Sequence, residues 1–145
     1  MTTAATPAST SDADFATRVR VYYEDTDAGG IVYYANYLRY FERARTDWLR
    51  ALGIEHRRLA QEEGIAFVVR DCALDYRLPA RLDDELRIEV TVREVRRAWL
   101  RLAQRACALP GGTPLVCAEL RIAAIRQADG RPTALPRALL EKLAP

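Results

Sequence analysis

Hydrophobic residues recur at two periods along the chain. Tyr37, Tyr40, Phe41, Ala44, Trp48 and Leu52 fall at steps of three and four, and predict one apolar face of a long amphipathic helix over residues 35–52. Arg39, Glu42, Arg43, Arg45, Asp47 and Arg50 fall mostly on the opposite side. Asn36 is the candidate N-cap, and Gly53 suits the position just past the helix, where a left-handed residue ends it. Ahead of the helix, Val19, Val21 and Tyr23 mark a short strand. An acidic, glycine-containing turn follows, Glu24-Asp25-Thr26-Asp27-Ala28-Gly29-Gly30, and then the apolar patch Ile31-Val32-Tyr33-Tyr34. Residues 54–63 suit a short second helix, ended by Gly64.

From Ile65 the period changes to two. Phe67-Val68-Val69 opens a strand that alternates through Cys72, Leu74 and Tyr76. Leu86, Ile88, Val90 and Val92 alternate next, then Leu100, Leu102, Ala106 and Ala108 with Gln104 out of class, then Val116, Ala118, Leu120, Ile122 and Ala124. Pro79, Leu109-Pro110-Gly111-Gly112 and residues 128–132 punctuate these runs as turns. Residues 137–143 predict a terminal helix. One strand, one long helix and then four strands in an antiparallel run make an α+β domain, not a doubly wound sheet. A single helix covers one face only, so the sheet must curl around it. Its far face and edge strands then need partners, which predicts a homodimer at minimum.

Composition narrows the class. The chain has 145 residues, half of them hydrophobic, which suits one globular domain over residues 15–145. Residues 1–14 are small and polar, and predict a disordered tail without the basic start and apolar stretch of a secretory leader. No run approaches the roughly 18 apolar residues of a membrane span. Cys72, Cys107 and Cys117 are odd in number and unpaired by spacing. They read as small buried hydrophobes of a reducing cytoplasm. His56, the sole histidine, leaves no zinc ligand set and reads as a solvated helix residue. The net charge is +2, and the arginines alternate with acids, so no nucleic-acid footprint emerges.

The acidic turn is the candidate chemistry, and it has three readings. Asp25 and Asp27, two residues apart, suit a divalent-metal pair. A haloacid-dehalogenase-type phosphatase would need threonine where Gly29 stands. Alternatively, both acids cap backbone amides in Asx-turns. In the third reading a carboxylate faces a helix N-terminus. Gly29 and Gly30 let a ligand approach the backbone, and unpaired amides near residues 33–36 point at an oxyanion. Such a pairing suffices for acyl transfer without Ser, Cys or His.

Residues 22–46, YYEDTDAGGIVYYANYLRYFERART, resemble the signature of hotdog-fold acyl-CoA thioesterases of the 4-hydroxybenzoyl-CoA thioesterase group, especially its Tol–Pal-associated (YbgC-like) branch. Residues 66–70, 79–84 and 131–136 extend the resemblance to roughly residues 18–140. It implies a sheet curled around the central helix and subunits paired into homodimers or homotetramers. The implied active site lies at the subunit interface and needs no metal or redox cofactor. It implies that Asp27 is the catalytic carboxylate and that the Tyr34 backbone N–H polarises the thioester carbonyl. The Tol–Pal branch usually carries histidine at position 34. Free phenols ionise near pH 10, so tyrosine there contributes its N–H, its ring or its hydroxyl as a donor rather than acting as a base. The resemblance further implies that Phe67, Val68 and Val69 of the partner line the acyl pocket and that Arg96 and Arg97 bind CoA phosphates. Glu42 and Arg43 match the family as structural residues. The implied substrate is an acyl-CoA, with an acyl carrier protein thioester as an alternative. A non-catalytic acyl-CoA-binding module and an envelope-associated interaction protein are the rival readings.

Overall fold

The computed structural model describes residues 12–143. The expected tail lies outside these residues up to position 11. Asp14 is already tied to the sheet, its carboxylate accepting the Val92 N–H at 2.7 Å. Strand β1 (Phe15–Arg20) leads through two 3-10 turns (Tyr23–Asp25 and Tyr34–Asn36) into helix α1 (Tyr37–Ala51). Helix α2 (His56–Glu63), strands β2 (Ile65–Tyr76), β3 (Glu85–Val95), β4 (Trp99–Leu109) and β5 (Pro114–Arg126), and helix α3 (Arg137–Leu143) follow. The strands form one antiparallel sheet in the order β1-β3-β4-β5-β2. This is the hotdog arrangement.

The helix face predicted from spacing is the buried one. Tyr37, Tyr40, Phe41, Ala44 and Trp48 are buried, with Leu49 added and Leu52 partly covered. They meet Leu86, Ile88, Val90, Leu100, Leu102, Val116, Leu120 and Ile122 of the sheet. Each such large side chain contributes about 1.5–3 kcal/mol by leaving water. Gln104, out of class in β4, is 1% exposed. It finds its partners on the helix: its Nε2 donates to the Phe41 carbonyl (3.1 Å) and its Oε1 accepts from Arg45 (2.9 Å). Arg45 therefore leans toward the sheet instead of lying on the polar side.

Helix α1 ends as its glycine predicts. Gly53 has φ +84, its N–H reaches the Arg50 carbonyl at 2.9 Å, and the Ile54 N–H reaches Leu49 at 2.8 Å. These two bonds make a Schellman motif. Two expectations about the helix entrance need correction. Asn36 precedes α1 with helical angles and makes no side-chain cap, because its amide is drawn to Asp25. Tyr23 is not in a strand; β1 ends at Arg20, and Tyr23 sits 84% exposed in a 3-10 turn. A third correction concerns the thiols: Cys107 is buried, but Cys117 is only partly covered and Cys72 is exposed on β2, the sheet edge.

Strand β2 carries a bulge. Val69 pairs with Ile122 and Asp71 with Arg121, so Arg70 is an extra residue in the ladder. Its outer edge has no strand partner among the described residues. Val68, Val69 and Tyr76 are exposed along it.

Candidate active site

Between β1 and α1 the chain folds back on itself in a miniature ribbon. The Asp27 N–H donates to Ile31 (2.8 Å), the Gly30 N–H to Asp27 (3.0 Å) and the Tyr33 N–H to Asp25 (2.9 Å), with Thr26 bridged to Val32. Gly30 takes φ +80, which closes the turn at a cost a side chain would raise. The Val32 N–H then joins the Ala80 carbonyl at 2.9 Å, docking the ribbon beside the approach to β3.

The two acids of this ribbon do different work. Asp25 is 7% exposed. Its Oδ2 accepts the Tyr22 N–H (2.8 Å) and its Oδ1 accepts the Asn36 amide (3.0 Å), stitching the end of β1 to the start of α1. Asp27 is exposed. Its Oδ1 accepts the Gly29 N–H at 2.8 Å, and its Oδ2 has no partner among the described residues. A Cβ at position 29 would sit 3.2 Å from that Oδ1, so glycine there leaves the carboxylate in place. The Asx-turn reading holds for Asp27 alone, since Asp25 reaches back three residues to the Tyr22 N–H and across to a side-chain amide, and the second oxygen of Asp27 has no partner among the described residues.

At the helix entrance, four amides were candidates for an oxyanion site. Two are consumed: Tyr33 N–H by Asp25, and Asn36 N–H by the Tyr33 carbonyl (2.8 Å). Tyr34 and Ala35 N–H have no acceptor among the described residues. Tyr34 is 62% exposed, with its ring edge-on to Tyr33 and Tyr76. The Tyr76 hydroxyl donates to the Tyr34 carbonyl at 2.9 Å. Beneath this surface Tyr40 is buried with an unpartnered hydroxyl. Burial, then the neighbouring Asp25 carboxylate, pushes its phenol upward.

Asp27, Gly29 and Gly30 therefore lie on one ribbon that leads directly into Tyr34, while the remaining predicted residues do not join them. Phe67, Val68 and Val69 line a cavity of about 120 Å³ with Glu42, Arg45, Thr46 and His56. The exposed His56 ring lies 5.9 Å from Phe67. Arg96 and Arg97 occupy the exposed β3–β4 tip. There Arg96 pairs with Glu94 at 2.5 Å, and the Arg97 carbonyl accepts the Leu135 N–H. Strand β3 starts beside the ribbon and runs away from it for 11 residues, which puts that tip on the order of 30 Å from Asp27. The tip shares its end of the sheet with Phe67: Trp99 pairs with Ala123, and Phe67 with Ala124. Tyr76 joins the site with no local signal, since by pattern it is only the last inward position of β2.

Comparison with known proteins agrees with this fold. The model of the thioesterase-like superfamily matches residues 21–143. The chain is 44% identical over 126 residues to the acyl-CoA thioesterase YbgC of Haemophilus influenzae, covering 87% of this chain and 91% of that one. It is 32% identical to the acyl-CoA thioesterase YbgC of Helicobacter pylori, covering 87% and 97%. A probable thioesterase from Bartonella henselae superposes with TM-score 0.77 at 36% identity, covering 83% of this chain and 98% of the other. With the family model spanning residues 21–143 and relatives 32% and 44% identical over most of both chains, the chain belongs to the thioesterase-like superfamily.

Proposed function

We propose that this protein hydrolyses an acyl-CoA thioester to CoA and a carboxylic acid, with Asp27 as the catalytic carboxylate and the Tyr34 N–H as oxyanion donor. One observation carries the reading: a carboxylate with a free oxygen is held on the same short ribbon that delivers two acceptor-less amides at the entrance of α1. A donor of this kind stabilises a developing oxyanion by about 2.7–4 kcal/mol. In one route an Asp27 oxygen attacks the carbonyl carbon, the C–S bond breaks, CoA leaves as thiolate, and water hydrolyses the resulting anhydride. In the other, Asp27 takes a proton from water as that water attacks, and the same oxyanion collapses to expel CoA. A single turnover in heavy-oxygen water separates the second route from an anhydride opened at the Asp27 carbonyl, because in that case the solvent oxygen stays on Asp27 and is absent from the first product molecule.

The site is completed by a second subunit. Antiparallel pairing of β2 with its own copy covers the exposed edge and sets the Phe67 end of one strand beside the Tyr76 end of the other. The partner then supplies Phe67, Val68 and Val69 for the acyl group. The same end of its sheet supplies Arg96 and Arg97 for the CoA phosphates, which arginine pairs bind well. A cytoplasmic location suits a CoA-ester substrate. The test is thiol release from short, long and aromatic acyl-CoAs by wild type and Asp27→Asn, with size-exclusion and light scattering on both. Turnover confined to wild-type dimers or tetramers supports the reading. A stable protein partner without turnover of any thioester favours the envelope-associated alternative.

A further inference from the structure

The oxyanion donors sit on a 3-10 turn of three residues, too short to hold its own peptide planes rigidly. A trans peptide points its C=O and N–H in opposite directions, so whatever pins the carbonyl also aims the amide. The Tyr33 carbonyl, which aims the Tyr34 N–H, is pinned from within the turn by Asn36 N–H at 2.8 Å. The Tyr34 carbonyl, which aims the Ala35 N–H, receives the Tyr76 hydroxyl at 2.9 Å from 42 residues away. With both planes held, the backbone at Tyr34 between them has little freedom left.

Tyr76 is well placed to hold that carbonyl. It pairs with Val116 at the end of β2, and the Arg77 and Leu78 N–H groups both donate to Leu115, at 2.8 and 3.1 Å. Its ring stands edge-on between Tyr34 and Tyr37, with centroids 6.2 and 5.9 Å away. Tyr37 is itself fastened, its hydroxyl accepting the Ala80 N–H at 3.3 Å.

We infer that Tyr76 is a positioning residue for the thioester hydrolysis proposed above: its hydroxyl, donating to the Tyr34 carbonyl, holds the Ala35 amide aimed at the thioester oxygen and fixes the backbone that follows the Tyr34 amide. The inference rests on the thioesterase reading and assigns the aim of the second donor to the sheet, while the turn itself holds the first. Accepting this bond also polarises the Tyr34–Ala35 peptide and sharpens the Ala35 N–H as a donor. Loss of the hydroxyl loosens that donor without removing it. The effect should therefore be smaller than the 10²–10³-fold cost of deleting a donor, about ten- to thirty-fold in kcat.

The experiment compares wild type, Asp27→Asn and Tyr76→Phe, the last keeping the ring packing and deleting only the hydroxyl. The expected result for Tyr76→Phe is a kcat lowered about ten- to thirty-fold with KM within about two-fold. Two CoA analogues give a second readout. A trifluoromethyl ketone, which presents a tetrahedral oxyanion, should bind more weakly by the same factor as kcat. A saturated thioether, which presents none, should bind unchanged. Full kcat in Tyr76→Phe, or equal weakening of both analogues, would overturn the inference and leave the thioesterase reading standing. Wild type inert toward every thioester would overturn that reading and this inference together.

Discussion

Two carboxylates two residues apart should fail in opposite ways. Asp25→Ala removes the acceptor for the Tyr22 N–H and the Asn36 amide. Hydrogen bonds to a charged acceptor contribute about 1.5–3 kcal/mol each, and a donor left buried pays its desolvation in full. Asn36 is only 9% exposed and cannot recover its partner from water. Tyr22 is 61% exposed, so its N–H recovers part of the loss. The sum is about 3–4 kcal/mol, or about 10 °C in Tm for a domain of this size. Asp27→Ala loses one bond to the Gly29 N–H in an exposed turn, and should cost under about 0.5 kcal/mol. Urea and thermal melts at one fixed protein concentration measure both, and thiol release measures activity in the same samples. Asp27→Ala should melt like wild type and be inactive. Asp25→Ala should melt early. An Asp25→Ala variant within about 1 kcal/mol of wild type would refute the stitch between β1 and α1. An Asp27→Ala variant as unstable as Asp25→Ala would refute the division of labour.

Other outcomes follow from single features. Tyr40→Phe removes a buried hydroxyl without a hydrogen-bond partner, so chemical melts should show stability unchanged or raised by up to about 1 kcal/mol. Burial raises the phenols of Tyr37 and Tyr40 above the ordinary value near 10, so the folded state holds those protons more tightly than the unfolded chain. Their stabilising contribution is complete below about pH 10 and is lost as pH rises through the folded values. Tyrosinate absorbance should therefore report at least two tyrosines that ionise only together with the loss of far-ultraviolet circular dichroism; ionisation of all seven ahead of unfolding would contradict this. Gly53→Ala should cost about 1 kcal/mol, a conformational effect at φ +84, since nothing lies within 4 Å of the added Cβ. Mixing Asp27→Asn subunits with an Arg96→Ala/Arg97→Ala variant should restore activity through hybrid dimers holding one intact site, and additive loss in such mixtures would argue against a shared site.

The helix and the strands were legible because their cause is periodic. Any sheet that buries one face of α1 must cover Tyr40, Phe41 and Trp48 together, and any β-strand alternates as Leu100 and Leu102 do. The Asp27 ribbon was legible as a compact local motif. What stayed hidden depends on distant partners. Asn36 looks like a cap until Asp25 claims its amide, Arg45 looks like surface until Gln104 reaches it, and Cys72 looks like core until β2 proves to be an edge. Tyr76 was hidden for the same reason, since nothing near it in the chain announces a bond to Tyr34.

The bulge at Arg70 has a bearing on how the chain tolerates change. Ala124, Ile122, Leu120, Ala118 and Val116 of β5 step evenly in twos, but their partners on β2 are Phe67 and Val69, then Cys72, Leu74 and Tyr76. The inward positions switch from odd to even numbers at the extra residue. Deletion of Arg70 alone would remove the extra residue and leave an unbroken ladder, with Asp71 still opposite Arg121 and Tyr76 still opposite Val116 on the inner face. The bulge therefore takes up the parity of the strand, and loss of one residue at Arg70 should disturb the Tyr76 hydroxyl's hold on Tyr34 less than loss of one residue between Cys72 and Tyr76.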